Sequence, residues 1–305
     1  MSSAMSRSRG PVLRAAGLAV MLCICNAHAA EGGLSSFPYG AQTTFAAFVP
    51  APGTTSFFGY ALNIQADSIH DSKGDPIPGT KVDVFALAPR LLHTWKSTFL
   101  GWTLTSGGVT EAIYANVKIP GRESHDTGPT LVGLEPLYFS RTFGAWTFFH
   151  GPLVYLPLGN YRPGKLANTN VGYKSLAYQG AVTWTPNAQL EVSLNPAVEI
   201  KEKNGATGYQ SGPQASLTFG LGYKLAPEQP WHLGFSGFYT DGLADDELNG
   251  RRVAGGGRTK KFGIGPKLVY WLGPASAIVA QWHRELATEN AAEGDLFWLE
   301  CTFPL

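Results

Sequence analysis

Hydrophobic and polar residues alternate one by one through much of this chain. Along 189–200 the apolar positions are Leu190, Val192, Leu194, Val198 and Ile200, and the positions between them include Gln189, Glu191, Ser193, Asn195 and Glu199. A period of two puts successive side chains on opposite faces of a β-strand. The same alternation recurs around 58–64, 217–225, 231–239 and 264–272. The pattern therefore predicts an all-β protein whose strands each have one apolar and one polar face.

The alternation and the turn residues together predict twelve strands. They lie near 54–67, 80–93, 102–118, 128–140, 145–156, 173–184, 189–200, 213–224, 231–240, 260–271, 276–285 and 294–304. Short connections near 94–101, 141–144, 185–188, 225–230 and 272–275 alternate with mostly longer ones near 68–79, 119–127, 157–172, 201–212, 241–259 and 286–293. Tight periplasmic turns alternating with longer outside loops are typical of a closed antiparallel transmembrane β-barrel in the outer membrane of a Gram-negative bacterium.

Composition supports the barrel over a soluble β-sandwich or propeller, which alternates in the same way. Charged residues make up 15% of the chain, against about 25% in an ordinary soluble protein. Charge is costly on a lipid face, so it is expected in loops and lumen. The last strand carries Phe297, Leu299, Cys301, Phe303 and Leu305 on one face, a pattern suited to the barrel-insertion machinery. The near-neutral charge argues against a nucleic-acid partner.

The N-terminus predicts a secretory signal peptide over residues 1–29. Arg7, Arg9 and Arg14 precede a short apolar run, and Ala27-His28-Ala29 forms a cleavage pattern. A membrane anchor and a lipoprotein are the alternatives. Cleavage leaves a mature net charge of −2 and a single cysteine, Cys301, so an intramolecular disulfide is excluded.

The remainder divides into a segment, 30–53, and the barrel, 54–305. Two phenylalanines and two prolines, Phe45, Phe48, Pro50 and Pro52, suggest that the segment is a packed plug or a periplasmic extension rather than a thirteenth strand.

Several short motifs resemble an outer-membrane family, the meta-pathway of phenol degradation family. In chain order they are Gly32-Gly33, Tyr39-Gly40, Pro52-Gly53, Pro157-Leu158-Gly159-Asn160-Tyr161, Asn170-Val171-Gly172, Thr207-Gly208-Tyr209-Gln210-Ser211-Gly212, Gly263-Ile264-Gly265-Pro266, Glu289-Asn290 and Gly294-Asp295. The most specific positions are Tyr209, Gln210, Ser211, Gly212, Gly265 and Pro266. The resemblance covers nearly all of the mature chain and implies a barrel linked to the catabolism and uptake of aromatic or hydrophobic compounds.

Enzyme motifs, metal-ligand spacings and cofactor motifs are absent from the mature sequence. A barrel lipase would need a Ser–His pair on adjacent strands, and the nearest candidates are His150, His232 and His283. Cys301 is expected to be an apolar surface residue rather than a nucleophile. The acidic and basic residues in and just after the loop 241–259 suggest a solvated loop whose basic half touches lipopolysaccharide, with a calcium site as the alternative. They are Asp241, Asp245, Asp246, Glu247, Arg251, Arg252, Arg258, Lys260 and Lys261.

The polar strand faces contain the best candidates for contact with a solute. Glu191, Asn195, Glu199, Lys267 and Glu300 should point into the lumen, where they either contact a solute or only fill the interior. The sequence therefore predicts a barrel, without enzyme activity or cofactor, that assists diffusion of a small hydrophobic or aromatic solute. The alternatives are a structural or partner-anchoring barrel and an outer-membrane lipid hydrolase.

Overall fold

The computed structural model describes residues 35–159 and 161–305. The predicted signal peptide lies outside these residues. Twelve long strands, β1–β12, follow one another as antiparallel neighbours. Their bounds are β1 Thr55–His70, β2 Lys81–Phe99, β3 Trp102–Ile119, β4 Arg122–Phe143, β5 Trp146–Pro157, β6 Ser175–Trp184, β7 Leu190–Lys201, β8 Gln214–Tyr223, β9 Trp231–Gly242, β10 Lys260–Gly273, β11 Ser276–Glu289 and β12 Ala292–Pro304.

The sheet closes on itself through its first and last strands. β12 pairs with β1 from Ser56 opposite Pro304 to Ile69 opposite Ala292. Closure gives the strands a partner on both sides, which is the condition for crossing lipid as a sheet. Each predicted strand overlaps one observed strand, so the prediction of a twelve-stranded closed barrel is confirmed. No helix among the described residues is both long and apolar enough to cross a membrane.

Two of the predicted loops are instead hairpins, in which both strands continue to a two-residue turn. β3 and β4 meet at the turn Pro120-Gly121, and β11 and β12 meet at Asn290-Ala291. Gly121 and Asn290 have φ of +75° and +51°, the left-handed conformation that two-residue hairpin turns need. The prediction of loops at 119–127 and 286–293 was therefore wrong. These polar stretches lie at the loop end of the barrel, where a paired strand can be hydrated on both faces.

Two other loops are joined by a small sheet of their own. Tyr209–Gln210 pairs with Glu247–Leu248, which pairs with Arg251–Arg252. Pro76–Ile77 adds a short strand against the end of β1. The loops 202–213 and 243–259 are therefore tied together at one end of the barrel.

The strands alternate as predicted, but the apolar face points outward on some strands and inward on others. On β7 the polar set points inward and the apolar set outward. On β12 Phe297, Leu299 and Phe303 are exposed, and Cys301 belongs to the same outward set. β1 is the reverse, since its apolar side chains Tyr60, Leu62 and Ile64 pack inward against a buried cluster. The period of two fixes which residues share a face but not which face is inside.

Residues 35–50, here called the inner segment, lie inside the barrel. Ser35 contacts Glu199 near the loop end of β7, Gly40 contacts Thr218 in the middle of β8, and Phe45 contacts Glu191 near the opposite end. The chain thus runs along the interior from the loop end to the turn end, where it enters β1. Phe37 and Ala47 are buried within the main apolar cluster of the barrel.

Candidate functional site

The five predicted lumen residues all belong to inward-facing positions, and four of them bind the inner segment directly. Glu191 accepts a hydrogen bond from the Phe45 backbone N–H at 3.0 Å. Its other oxygen lies 3.3 Å from Lys267 Nζ, and both side chains are at most 1% exposed. Lys267 also donates to the Thr43 carbonyl oxygen at 3.0 Å. The Glu191–Lys267 pair therefore carries no net charge, and both of its members bind the segment.

Glu199 and Asn195 bind the segment further toward the loops. Glu199 accepts from Ser35 Oγ at 2.6 Å and from the Ser36 backbone N–H at 3.1 Å. Asn195 Nδ2 donates to Gln42 Oε1 at 2.8 Å. Glu300 is the exception among the five. Within the part of the chain that the structure describes it makes no hydrogen bond to the segment, but it accepts from Gln281 Nε2 at 2.6 Å, and that amide also contacts the Ala41 carbonyl oxygen.

These contacts belong to a continuous polar surface that we call the polar wall. It consists of inward-facing polar side chains on β6–β11, namely Gln179, Thr183, Glu191, Ser193, Asn195, Glu199, Thr218, Lys267 and Gln281. Five backbone N–H groups of the segment donate to this wall. Buried backbone groups need partners, and the wall supplies them to a stretch that makes no regular secondary structure of its own.

The opposite side of the interior is mainly apolar, and we call it the apolar wall. It consists of inward-facing side chains on β1–β5 and β12, including Phe58, Tyr60, Leu62, Ala86, Ala88, Leu92, Val109, Phe149, Leu153, Tyr155 and Trp298. Two cavities lie between this wall and the inner segment. The larger, of about 370 Å³, extends to Pro274 and Ala275 at the turn end. The smaller, of about 60 Å³, lies deeper.

Gln42, Tyr60 and Arg90 line both cavities. Arg90 is buried and forms a bidentate pair with Glu135, with Nε at 2.8 Å and Nη2 at 3.0 Å from the carboxylate oxygens. Its guanidinium also lies 5.4 Å from the centre of the Phe58 ring. Glu111 is a further carboxylate on the smaller cavity. Arg90, Glu111 and Glu135 are site residues that the sequence did not predict, although an isolated charge inside an apolar strand is a usable signal.

The family-motif residues of the first group lie outside the lumen, in the joined loops. Tyr209 Oη donates to Asp246 Oδ2 at 2.6 Å, and the Gly212 backbone N–H donates to Oδ1 at 2.8 Å. Burial raises the pKa of Asp246, against the effect of these two hydrogen bonds. A Cβ on Gly212 would lie 2.2 Å from the Ala244 carbonyl oxygen. Together with Gln210 and Ser211, these residues form a clasp between two loops.

Gly265 and Pro266 lie in β10, and their role is also structural. A Cβ on Gly265 would lie 1.8 Å from the Trp282 carbonyl oxygen. Only glycine allows β10 and β11 to approach this closely. Pro266 faces outward and is exposed, and it pairs with Phe235.

The three candidate histidines have different surroundings. His150 stacks on Phe139 on the outer face, and His232 accepts from Trp271 Nε1 at 2.9 Å in the interior. His283 contacts Ser236 Oγ at 2.8 Å, so the structure does bring a serine and a histidine together. Both side chains are fully buried, and His283 packs against Phe238. A lipid has no access to that pair in this conformation.

Charged side chains of the loop 243–259 form ion pairs with one another. Arg252 and Arg258 both contact Asp245, at 2.5 and 3.1 Å. Within residues 35–159 and 161–305, no three His, Cys, Asp or Glu side chains are grouped as a metal site requires. Asp245 therefore binds two arginines, and Asp246 binds a tyrosine and a backbone N–H.

Comparisons with known proteins agree with this architecture. The sequence profile of the family described as "Putative MetA-pathway of phenol degradation" matches residues 66–301. An outer membrane channel from Pseudomonas putida F1 has 15% identity and a TM-score of 0.74 over 85% of this chain and 98% of its own. The beta domain of the Bordetella autotransporter BrkA has 13% identity and a TM-score of 0.54 over 83% of this chain and 100% of its own. None of the curated proteins matches the chain.

Both structural likenesses concern outer-membrane barrels, and at such low identity they concern the fold alone. The closed twelve-stranded barrel and its aromatic outer surface agree with them. The protein is an outer-membrane β-barrel of a Gram-negative bacterium, surrounded by the lipids of that membrane.

Proposed function

Since the chain belongs to the phenol-degradation family of outer-membrane proteins, we propose that it assists small hydrophobic or aromatic solutes to cross that membrane. The observation that carries the proposal is the position of the free space in the interior. Both cavities lie against the apolar wall, whereas the polar wall is occupied by the inner segment. Water-filled porins have polar interiors instead.

The apolar wall offers many weak contacts rather than one tight site. Aromatic and aliphatic side chains such as Phe58, Tyr60, Leu153 and Trp298 line the space. A solute moves along a channel only if it binds well enough to enter and weakly enough to leave. Dispersion and apolar contacts spread over such a wall satisfy both conditions.

The inner segment acts as a plug that narrows the lumen to a path of small cross-section. It lies along the polar wall and forms one side of the smaller cavity through Pro38, Ala41 and Gln42 and one side of the larger cavity through Gln42, Phe45 and Phe48. The predicted lumen residues Glu191, Asn195, Glu199 and Lys267 then position the plug rather than contact the solute. Glu300 lines the larger cavity and remains a candidate for solute contact.

Whole cells provide the direct test, because small apolar solutes cross simple lipid bilayers unaided. Uptake of radiolabelled toluene is measured over a concentration series in cells with and without the protein. Faster uptake in the cells that contain the barrel is expected at low solute concentration. Equal rates across the series would refute the transport function.

A second function, a structural or partner-anchoring barrel, is favoured by the extent to which the segment fills the lumen. Toluene uptake by whole cells separates the two functions. A barrel without transport leaves the uptake rate equal to that of cells that lack the protein, whereas a solute path raises it. We propose no chemical step, since the Ser236–His283 pair is buried from lipid and solvent.

A further inference from the structure

The solute path carries an uneven set of charges. Four ionisable side chains that are charged in water line the two cavities: Arg90, Glu111, Glu135 and Glu300. Arg90 is committed to Glu135, since its Nε and Nη2 atoms contact both carboxylate oxygens within 3.1 Å. That pair contributes no net charge to the path.

Glu111 and Glu300 are left without a cation. Among the described residues neither forms an ion pair within 4.0 Å. The buried lysines have other partners: Lys261 and Lys267 each pair with a different glutamate, and Lys201 donates to Gln214. Glu300 Oε1 accepts from Gln281, which leaves its second oxygen able to accept from another donor. Glu111 lies on β3 across the smaller cavity from the inner segment.

From this arrangement we propose that the path prefers aromatic solutes whose polar group donates hydrogen bonds, with ammonium groups preferred most, and rejects aromatic carboxylates. The inference rests on the proposed transport function and adds its selectivity. An ammonium or hydroxyl group can donate to Glu111 and then to Glu300 as the ring moves along the apolar wall. A carboxylate would lose its hydration in an apolar cavity and find no free cation there, because Arg90 is committed to Glu135.

The test uses a single salt, benzylammonium benzoate, in planar bilayers at about pH 8.5, where benzylammonium is still mainly protonated and a buried carboxylate without a cation is more fully ionised than at neutral pH. Its two ions share the same ring and differ in the sign of charge, so the reversal potential under a concentration gradient gives their permeability ratio. The inference predicts that benzylammonium is at least about tenfold more permeant than benzoate. The attraction between two opposite charges in a partly buried site is large enough to change a permeability by more than tenfold. Glu111→Gln and Glu300→Gln should each lower the ratio several-fold, and the double variant should bring it close to one.

Glu228→Gln is the matched control, since Glu228 is exposed in the turn between β8 and β9. It should leave the ratio unchanged. Each variant is first checked for the heat-dependent gel shift of a folded barrel, and Glu111→Gln alone carries the test if Glu300→Gln does not fold. A wild-type ratio of one, a preference for benzoate, or no current carried by benzylammonium overturns the inference. Toluene uptake is measured separately. A wild-type permeability ratio of one together with normal toluene uptake refutes this inference but not the transport function.

Discussion

Replacing Glu191 with alanine should both destabilise the barrel and loosen the inner segment. The change leaves Lys267 buried without its carboxylate and removes the acceptor of the Phe45 N–H. At 3.3 Å and an effective dielectric constant of about 20, the attraction between the two charges is about 5 kcal/mol. Breaking one partner of such a buried pair typically costs about 3–5 kcal/mol, and we expect a loss in that range.

A double variant separates the pair from the cost of an orphaned charge. With Glu191→Gln and Lys267→Met together, no charge is left unpaired, and the loss should fall to about 1–2 kcal/mol, the value of the hydrogen bonds to the segment. Unfolding in guanidinium is followed by tryptophan fluorescence in lipid vesicles. The reasoning is refuted if the single variant loses less than about 1 kcal/mol, or if the double variant is less stable than the single one.

The remaining predictions concern the loop clasp and a glycine of β10. Asp246→Asn should release the loop clasp, since it disturbs two buried hydrogen bonds. Trypsin should then cleave at the exposed Arg251–Arg252 about tenfold faster or more. Glu247→Gln on the same loop should leave the cleavage rate unchanged, and equal rates for Asp246→Asn and the wild type would contradict the clasp. Gly265→Ala should abolish the heat-dependent gel shift, because its Cβ would meet a backbone oxygen; Gly273→Ala, with open space around it, should retain the shift.

The sequence predicted the number and order of the strands because lipid outside the barrel imposes a strict period of two. β7 shows this most clearly, since its larger apolar residues face outward and its polar ones inward, with the small Ala197 as an apolar inward exception. β1 shows the limit of the same reasoning. Its apolar face packs inward, because the interior beside it is a packed apolar cluster rather than water. Periodicity does not tell a lipid-facing set from a lumen-facing one when both surroundings are apolar.

The candidate site was predicted only in part, for a similar reason. The inward direction of Glu191, Asn195, Glu199, Lys267 and Glu300 followed from the alternation. Their partners did not, because the contacts depend on how residues 35–50 run through the barrel. Arg90 and Glu135 lie 45 positions apart in the sequence, and nothing local to either residue indicates the other. The free space along the apolar wall likewise exists only once the segment is in place.

The central claim is that solute moves along the apolar wall, and a block in that path tests it most directly. Ala88 lines the smaller cavity of about 60 Å³, and a tryptophan there would fill it. Ala112 is exposed on the outer face of β3, so Ala112→Trp adds the same bulk without entering the lumen. We predict that Ala88→Trp lowers toluene uptake to the rate of cells without the protein, while Ala112→Trp retains the wild-type rate. Full uptake with a folded Ala88→Trp barrel would contradict the account.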